Sequence, residues 1–168
     1  MSTLCFRKLA SAEFEVGYAI VSEATEWLWM QNLPAWLVPR DLYQRRHTLG
    51  ENYGLLIDNE LRAVVTLTAY HPRDWDEYLP ATGFIWLATL AATRRFKGQG
   101  LGYITLRQAE LLVRSQGVRS IYLDCYYSKG LLPQYYMRSG FQWLARKDLI
   151  FEDKSTHDSV LMYKTLAL

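Results

Sequence analysis

Between Thr93 and Tyr103 the chain reads Thr-Arg-Arg-Phe-Lys-Gly-Gln-Gly-Leu-Gly-Tyr, with glycines at 98, 100 and 102. Glycine takes positive φ without steric cost and lets backbone N–H groups come close to a ligand. An apolar run over 83–92 precedes this turn, and a helical pattern, Leu101 to Gln116, follows it. Strand, glycine turn and helix N-terminus together form a holder for an anion, because the first N–H groups of a helix lack partners and carry the positive end of its dipole. The chemistry expected of Gly98-Gln99-Gly100-Leu101-Gly102 is therefore the binding of a pyrophosphate by backbone. A glycine turn that merely reverses the chain is the competing reading.

The spacing narrows the choice of ligand. A dinucleotide fold needs G-x-G-x-x-G after its first strand and an acidic residue about 20 positions on. Here the order is G-x-G-x-G, residue 103 is Tyr, and several strands come first. The P-loop frame G-x-x-x-x-G-K-[ST] is missing as well. His47, His71 and His157 have no ligand spacing, so each reads as a surface or capping residue and no metal is expected. Cys5 and Cys125 match neither a metal site nor a disulfide framework, and Cys125 reads as a small core residue rather than a nucleophile.

The elements that must position the turn follow from periodicity. A strand near Thr3 to Leu9 leads to Ser11 as N-cap and to a helix with Phe14, Tyr18, Val21 and Leu28 on one face. Pro39 opens a second helix, Arg40 to Leu49. Asn52 to Asp58 and Leu61 to Tyr70 form a hairpin, and His71 to Ala81 reads as a loop. After the glycine turn come a helix ended by Gly117, a strand Ser120 to Cys125, a helix Leu131 to Arg138 ended by Gly140, and strands Phe141 to Ile150 and Ser159 to Thr165. Strands alternating with helices make the class α/β or α+β with a mixed sheet.

The chain has 168 residues, half of them hydrophobic, with a net charge of +2. That suits one domain over 1–168 and excludes disorder and a basic nucleic-acid track, since Arg45-Arg46 and Arg94-Arg95 are isolated pairs. No apolar run approaches the roughly 18 residues of a membrane span, and the N-terminus lacks a signal-peptide pattern, so a soluble cytoplasmic protein is expected. A monomer or homodimer suits this size.

Lys97-Gly98-Gln99-Gly100-Leu101-Gly102 resembles the signature of the GNAT superfamily of N-acetyltransferases, Q or R followed by x-x-G-x-G/A. Leu90-Ala91-Ala92 stands where that family has its L-a-V strand end, and Leu123-Asp124-Cys125 where the next strand carries L-x-V. Tyr136-Met137-Arg138-Ser139-Gly140-Phe141 resembles its Y-e-k-l-G-F segment, and Met162 to Leu166 its last strand, so the likeness spans 83–166.

The resemblance implies a sheet of six or seven strands, splayed between strands 4 and 5, flanked by about four helices, with an acceptor-specific N-terminal half. It implies acetyl-CoA as cosubstrate: pantetheine along Leu90, Ala91 and Ala92, diphosphate on Lys97, Gly98, Gln99, Gly100, Leu101, Gly102 and Tyr103, and Lys129 at the family's frequent Asn position. Lys97 in place of Q or R keeps a charge but loses the planar fork. Tyr136 corresponds to the residue that protonates the departing CoA sulfur.

Many members carry a strand glutamate as base, but Leu87-Ala88-Thr89 offers no carboxylate. Asp74, Asp76 and Glu77 in the preceding loop are candidates for attracting a cationic amine, Asp124 is a candidate to face the splay from the neighbouring strand, and Trp27, Trp29 and Trp36 suit an apolar acceptor pocket or core and helix docking equally. The expected function is acetyl transfer from acetyl-CoA to a primary amine in a ternary complex. The alternative is an acyl-CoA-binding sensor that has lost its base.

Overall fold

The computed structural model describes residues Met1 to Ala167. Seven strands lie in the order β1-β2-β3-β4-β5-β7-β6: β1 (Leu4–Lys8), β2 (Asn52–Ile57), β3 (Glu60–Thr68), β4 (Phe84–Ala92), β5 (Ser120–Tyr126), β6 (Gln142–Ile150) and β7 (Thr156–Thr165). Four α-helices accompany them: α1 (Phe14–Met30), α2 (Arg40–Thr48), α3 (Leu101–Ser115) and α4 (Leu131–Arg138). The mixed α/β class holds. No helix among the described residues is long and apolar enough to cross a membrane.

The chain forms two compact units that are not sequential halves. Met1–Thr68 joins with Leu87–Leu111, whereas Ala69–Trp86 joins with the chain from Leu112 on. The division follows from two continuous elements, β4 and α3, each of which gives one end to either unit.

In the first unit β1 and β2 pair antiparallel, from Leu4↔Ile57 to Lys8↔Tyr53. The β2–β3 reversal is made by Asp58 and Asn59 alone, at φ 52° and 64°, which is the left-handed pair a two-residue hairpin turn demands. Asn52 is buried and ties three segments together: its carbonyl accepts from the Leu9 N–H, its amide donates to the Tyr43 carbonyl, and Thr66 donates to its Oδ1 at 2.7 Å. Leu9, Phe14, Ile20, Val21, Val38, Tyr43, Val64 and Ala91 make the core beside it. Gly54 permits that packing, since a Cβ there would stand 2.5 Å from Leu61 and 2.6 Å from Leu9.

Three local expectations are corrected. Ser11 is not an N-cap but the first residue of a 3₁₀ turn, Ser11–Glu13, whose leading Ala10 N–H is held by Glu13 Oε2 at 2.7 Å. Pro39 stands at the N-cap of α2 rather than within it. The segment read as loop contains a 3₁₀ helix, Arg73–Tyr78, because its Trp75 is completely buried and pulls the acidic stretch into a turn.

In the second unit, the start of β4 pairs in parallel with β5 from Phe84↔Ser120 to Trp86↔Tyr122. β5 pairs antiparallel with β7, and β7 with β6. Val160, Leu161 and Met162 are consecutive and buried, so both faces of β7 are covered. Gly140, at φ 88°, ends the α4 region and lets the Lys164 ammonium reach the Ser139 carbonyl at 2.6 Å.

Candidate active site

The glycine turn belongs to the first unit. β4 brings in Leu90, Ala91 and Ala92; Ala91 lies in the core with Leu9 and Phe14, and Ala92 packs against Leu55, Ala63 and Leu101. Thr93 leaves the strand with its N–H on the Arg62 carbonyl, and a short 3₁₀ turn, Arg94–Phe96, follows. Phe96 and Leu101 both pack into the apolar cluster of Leu55 and Ala63, so the turn is pinned on either side while residues 97–100 stay exposed.

Gly98 and Gly100 adopt φ of 85° and 68°, and a Cβ built on either meets nothing within 4 Å. The backbone conformation therefore requires glycine, and the space beside it is open, a cradle that side chains would fill. The Ile104 N–H donates to the Gly100 carbonyl at 3.0 Å, which leaves the N–H groups of Leu101 and Gly102 ahead of the first helical bond. Glu60 pairs with Arg62 at 3.1 Å and Arg95 at 3.0 Å. Lys97 is exposed and enters no ion pair among the described residues, so its charge is available to an anion. Gln99 and Tyr103 are also exposed. These groups suit a diphosphate.

The ionisable cluster belongs to the second unit. On β5, alternation puts Asp124 on one face with Tyr122 and Tyr126, and Cys125 on the other. Trp75 Nε1–H donates to Asp124 Oδ2 at 2.9 Å. Burial pushes the Asp124 carboxyl above the usual carboxylate range, against the weaker pull of the Trp75 donor. Burial also raises the Cys125 thiol to about 12, so it is not a thiolate nucleophile.

Tyr136, on α4, stacks edge-on with Phe141 at 5.8 Å and with Tyr135 at 5.3 Å. Its phenol is pushed far up, first by burial and then by Cys125, Tyr135 and Asp124, in that order. Tyr136 therefore holds its proton at neutral pH, and it feels Cys125 more strongly than Asp124. Lys129 is exposed in a left-handed run, Ser128, Lys129 and Gly130, at φ 46°, 56° and 84°. Asn tolerates that conformation better than most side chains, and Lys129 adopts it here.

Two of the three loop carboxylates, those of Asp76 and Glu77, have side-chain partners, and Asp74 is held through its backbone. His71 Nε2 lies 2.8 Å from Asp76 Oδ1, Glu77 pairs with Lys147 at 3.4 Å, and the Asp74 carbonyl also accepts from Lys147. The histidines are correspondingly not plain surface residues: all three are half-buried, His71 packs on Phe84 and Trp86, His47 meets Phe14 edge-on, and His157 lies against Phe151. Among the described residues no three metal-ligating side chains come together.

Residues 21–141 match the model of the acetyltransferase (GNAT) family. The chain belongs to this family. As a GNAT acetyltransferase it is an acyltransferase enzyme. It is 30% identical over 134 residues to the uncharacterized N-acetyltransferase YesJ of Bacillus subtilis (strain 168), covering 74% of each chain. A GNAT-family acetyltransferase from Listeria monocytogenes has the same fold, with a TM-score of 0.79 at 24% identity over 97% of this chain and 95% of that one. The acetyltransferase yncA of Salmonella typhimurium, solved with its cofactor acetyl-CoA, has a TM-score of 0.69 at 15% identity over 99% and 95%. In this GNAT chain Leu87-Ala88-Thr89 carries no carboxylate, and Asp124, which the sequence offered only as an acid facing the splay, is a half-buried carboxylate whose proton affinity the fold raises. Its signal, an acid within an otherwise apolar and aromatic strand, was present in Leu123-Asp124-Cys125.

Proposed function

We propose that this enzyme transfers acetyl from acetyl-CoA to a primary amine by direct attack in a ternary complex, with Asp124 as proton acceptor and Tyr136 as proton donor. The observation that carries the reading is that one unit holds both a carboxylate, Asp124, fixed through Oδ2 by the Trp75 N–H at 2.9 Å and raised in proton affinity by burial, and a phenol, Tyr136, that keeps its proton at neutral pH. An acid and a base with separate partners are what aminolysis of a thioester needs, since the nitrogen must lose protons while the sulfur gains one.

Asp124 takes a proton from the acceptor ammonium, and burial improves it for that task by narrowing the pKa gap to the amine. The nitrogen then bonds to the thioester carbonyl carbon as the carbon–sulfur bond breaks. Tyr136 gives its proton to the departing sulfur and regains one released by the nitrogen; the other proton passes from Asp124 to solvent. The products are an amide and a free thiol. In the same reading the turn from Lys97 to Tyr103 takes the diphosphate, Leu90 to Ala92 the pantetheine, and Lys129 flanks the cofactor. The acetyl-CoA bound by the Salmonella relative of like fold supports that cosubstrate.

The test is acetyl-CoA turnover against phenethylamine, spermidine, lysine and an alanine-initiated peptide. Turnover with at least one amine, lost by about 10² to 10⁴ in Asp124→Asn, is the expected result for a proton acceptor. Turnover by Asp124→Asn within about threefold of the parent, with chemistry rate-limiting, overturns the role of Asp124. Absence of turnover with every amine, in protein that binds acetyl-CoA, favours the binding-module reading of this cofactor site.

A further inference from the structure

We infer that Trp75 is a positioning residue for the reaction: its indole N–H fixes one oxygen of Asp124 and so presents the other to the acceptor amine. The inference rests on the reading of Asp124 as proton acceptor. It begins from an oddity of the segment Arg73–Tyr78, an exposed, charged turn with one completely buried tryptophan at its centre. A tryptophan buried for packing alone leaves its N–H in need of a partner. Here the partner is a carboxylate 49 residues away in sequence, at 2.9 Å, within the range of a good charge-assisted bond.

The turn is itself held down. Lys147 of β6 stands 4.8 Å above the Trp75 ring and 5.7 Å above Tyr78, while it donates to the Asp74 carbonyl and pairs with Glu77. Tyr78 meets Trp75 edge-on at 6.2 Å. Lys147 thus fixes the plane of the indole, and the indole fixes Asp124. A buried carboxylate rotates about its last bond unless something holds one oxygen, and misplacement of a reacting group by about 1 Å can cost up to about 100-fold in rate. Oδ2 is the held oxygen; a weaker bond comes from the backbone N–H of Asp124 itself.

The N–H also favours the ionised carboxylate, in opposition to burial and to Asp74. The ionisable groups around Asp124 are Asp74 from the turn, Tyr122, Cys125 and Tyr126 of β5, and Tyr136 of α4, with Lys147 behind the indole. Loss of the donor therefore moves the Asp124 titration upward, and with it the acid limb of the pH–rate profile.

Two measurements test this. In the parent protein, the indole Nε1–H resonance of Trp75 is expected to move with pH in step with the carboxyl carbon of Asp124, and to stop moving in Asp124→Asn. A Trp75 resonance that stays flat while Asp124 titrates overturns the proposal, whether or not any Trp75 variant folds. In folded Trp75→Phe, which keeps a ring but lacks the donor, the Asp124 carboxyl and the acid limb of kcat/KM with the active amine should both shift to higher pH. Acetyl-CoA affinity should remain within about twofold, and kcat should fall by on the order of tenfold to 100-fold. A Trp75→Phe profile superimposable on the parent's, in an enzyme that Asp124→Asn inactivates, overturns the positioning role alone. Full activity of Asp124→Asn instead overturns the proton-acceptor reading beneath it.

Discussion

The guanidinium of Arg94 lies 3.7 Å over the ring of Trp27, and the backbone N–H of Arg94 donates to Glu23 Oε1 at 2.9 Å. Two contacts thus moor the entrance of the glycine turn to the last turns of α1. Trp27, which the sequence offered equally for an acceptor pocket or for helix docking, docks α1 against the entrance of the glycine turn. A cation over an aromatic face at a partly exposed site is worth about 0.5–1 kcal/mol. If that contact preorganises the turn, Trp27→Ala should weaken acetyl-CoA binding by roughly two- to fivefold in Kd, as measured by calorimetry. Unchanged affinity with a lowered Tm would show that the stack only stabilises the fold.

Gly100 sets a sharper expectation. A Cβ there meets no neighbour within 4 Å, so loss is expected from the left-handed backbone, φ 68°, and from the methyl groups of a valine in the open cradle. The backbone penalty is about 1–2 kcal/mol, which a folded domain tolerates. Gly100→Val should remain folded by circular dichroism and lose the thermal shift that acetyl-CoA gives the parent, about 2.7 kcal/mol of added stability at a hundredfold excess over Kd. A normal shift in the folded variant would reduce the turn to a chain reversal.

Tyr136→Phe separates chemistry from packing. The edge-on contacts with Tyr135 and Phe141 need only the ring, so fold and acetyl-CoA KM should survive removal of the hydroxyl. A general acid is typically worth about 10² to 10⁴, and kcat should fall within that range. Steady-state kinetics with the active amine decide it, and a kcat within about threefold of the parent would exclude the phenol as donor.

Burial of Asp124 makes the stability of the fold depend on pH. It raises the carboxyl pKa in the native state, so the folded protein holds this proton to higher pH than the unfolded chain does. In the window between the ordinary carboxylate value and the raised native value, the native state binds more protons and stability falls as pH rises. Below the window both states are protonated and the contribution is intact; above it the contribution is lost. Asp124→Asn cannot ionise. Its Tm should match the parent's in acid and exceed it increasingly as pH rises through the window. Parallel Tm curves for the two proteins at all pH values would contradict the assigned direction of the shift.

How much of this was legible along the chain depended on the range of the cause. The conformation of Gly98 and Gly100 and the stop at Gly140 are consequences of what single residues permit at φ and could be read in order, as could a hairpin at Asp58-Asn59-Glu60, although Glu60 pairs with Ile57 and leaves a turn of two residues. The position of Tyr136 was legible because a helix ended by glycine fixes the spacing between its residues and the next strand. The 3₁₀ turn at Arg73–Tyr78 was not, because local composition there is that of a loop and only burial of Trp75 overrides it. The same limit left Asp124 as one acid among four. An aspartate's proton affinity is set by how much water it loses and by which donors reach it, and the donor here is Trp75, brought to β5 from a segment 49 residues away in sequence. By itself the sequence determined the conformation of the glycine turn, because backbone freedom is a local property; the tertiary structure decided which carboxylate is tuned, because desolvation and the field of neighbouring groups exist only once the chain has packed.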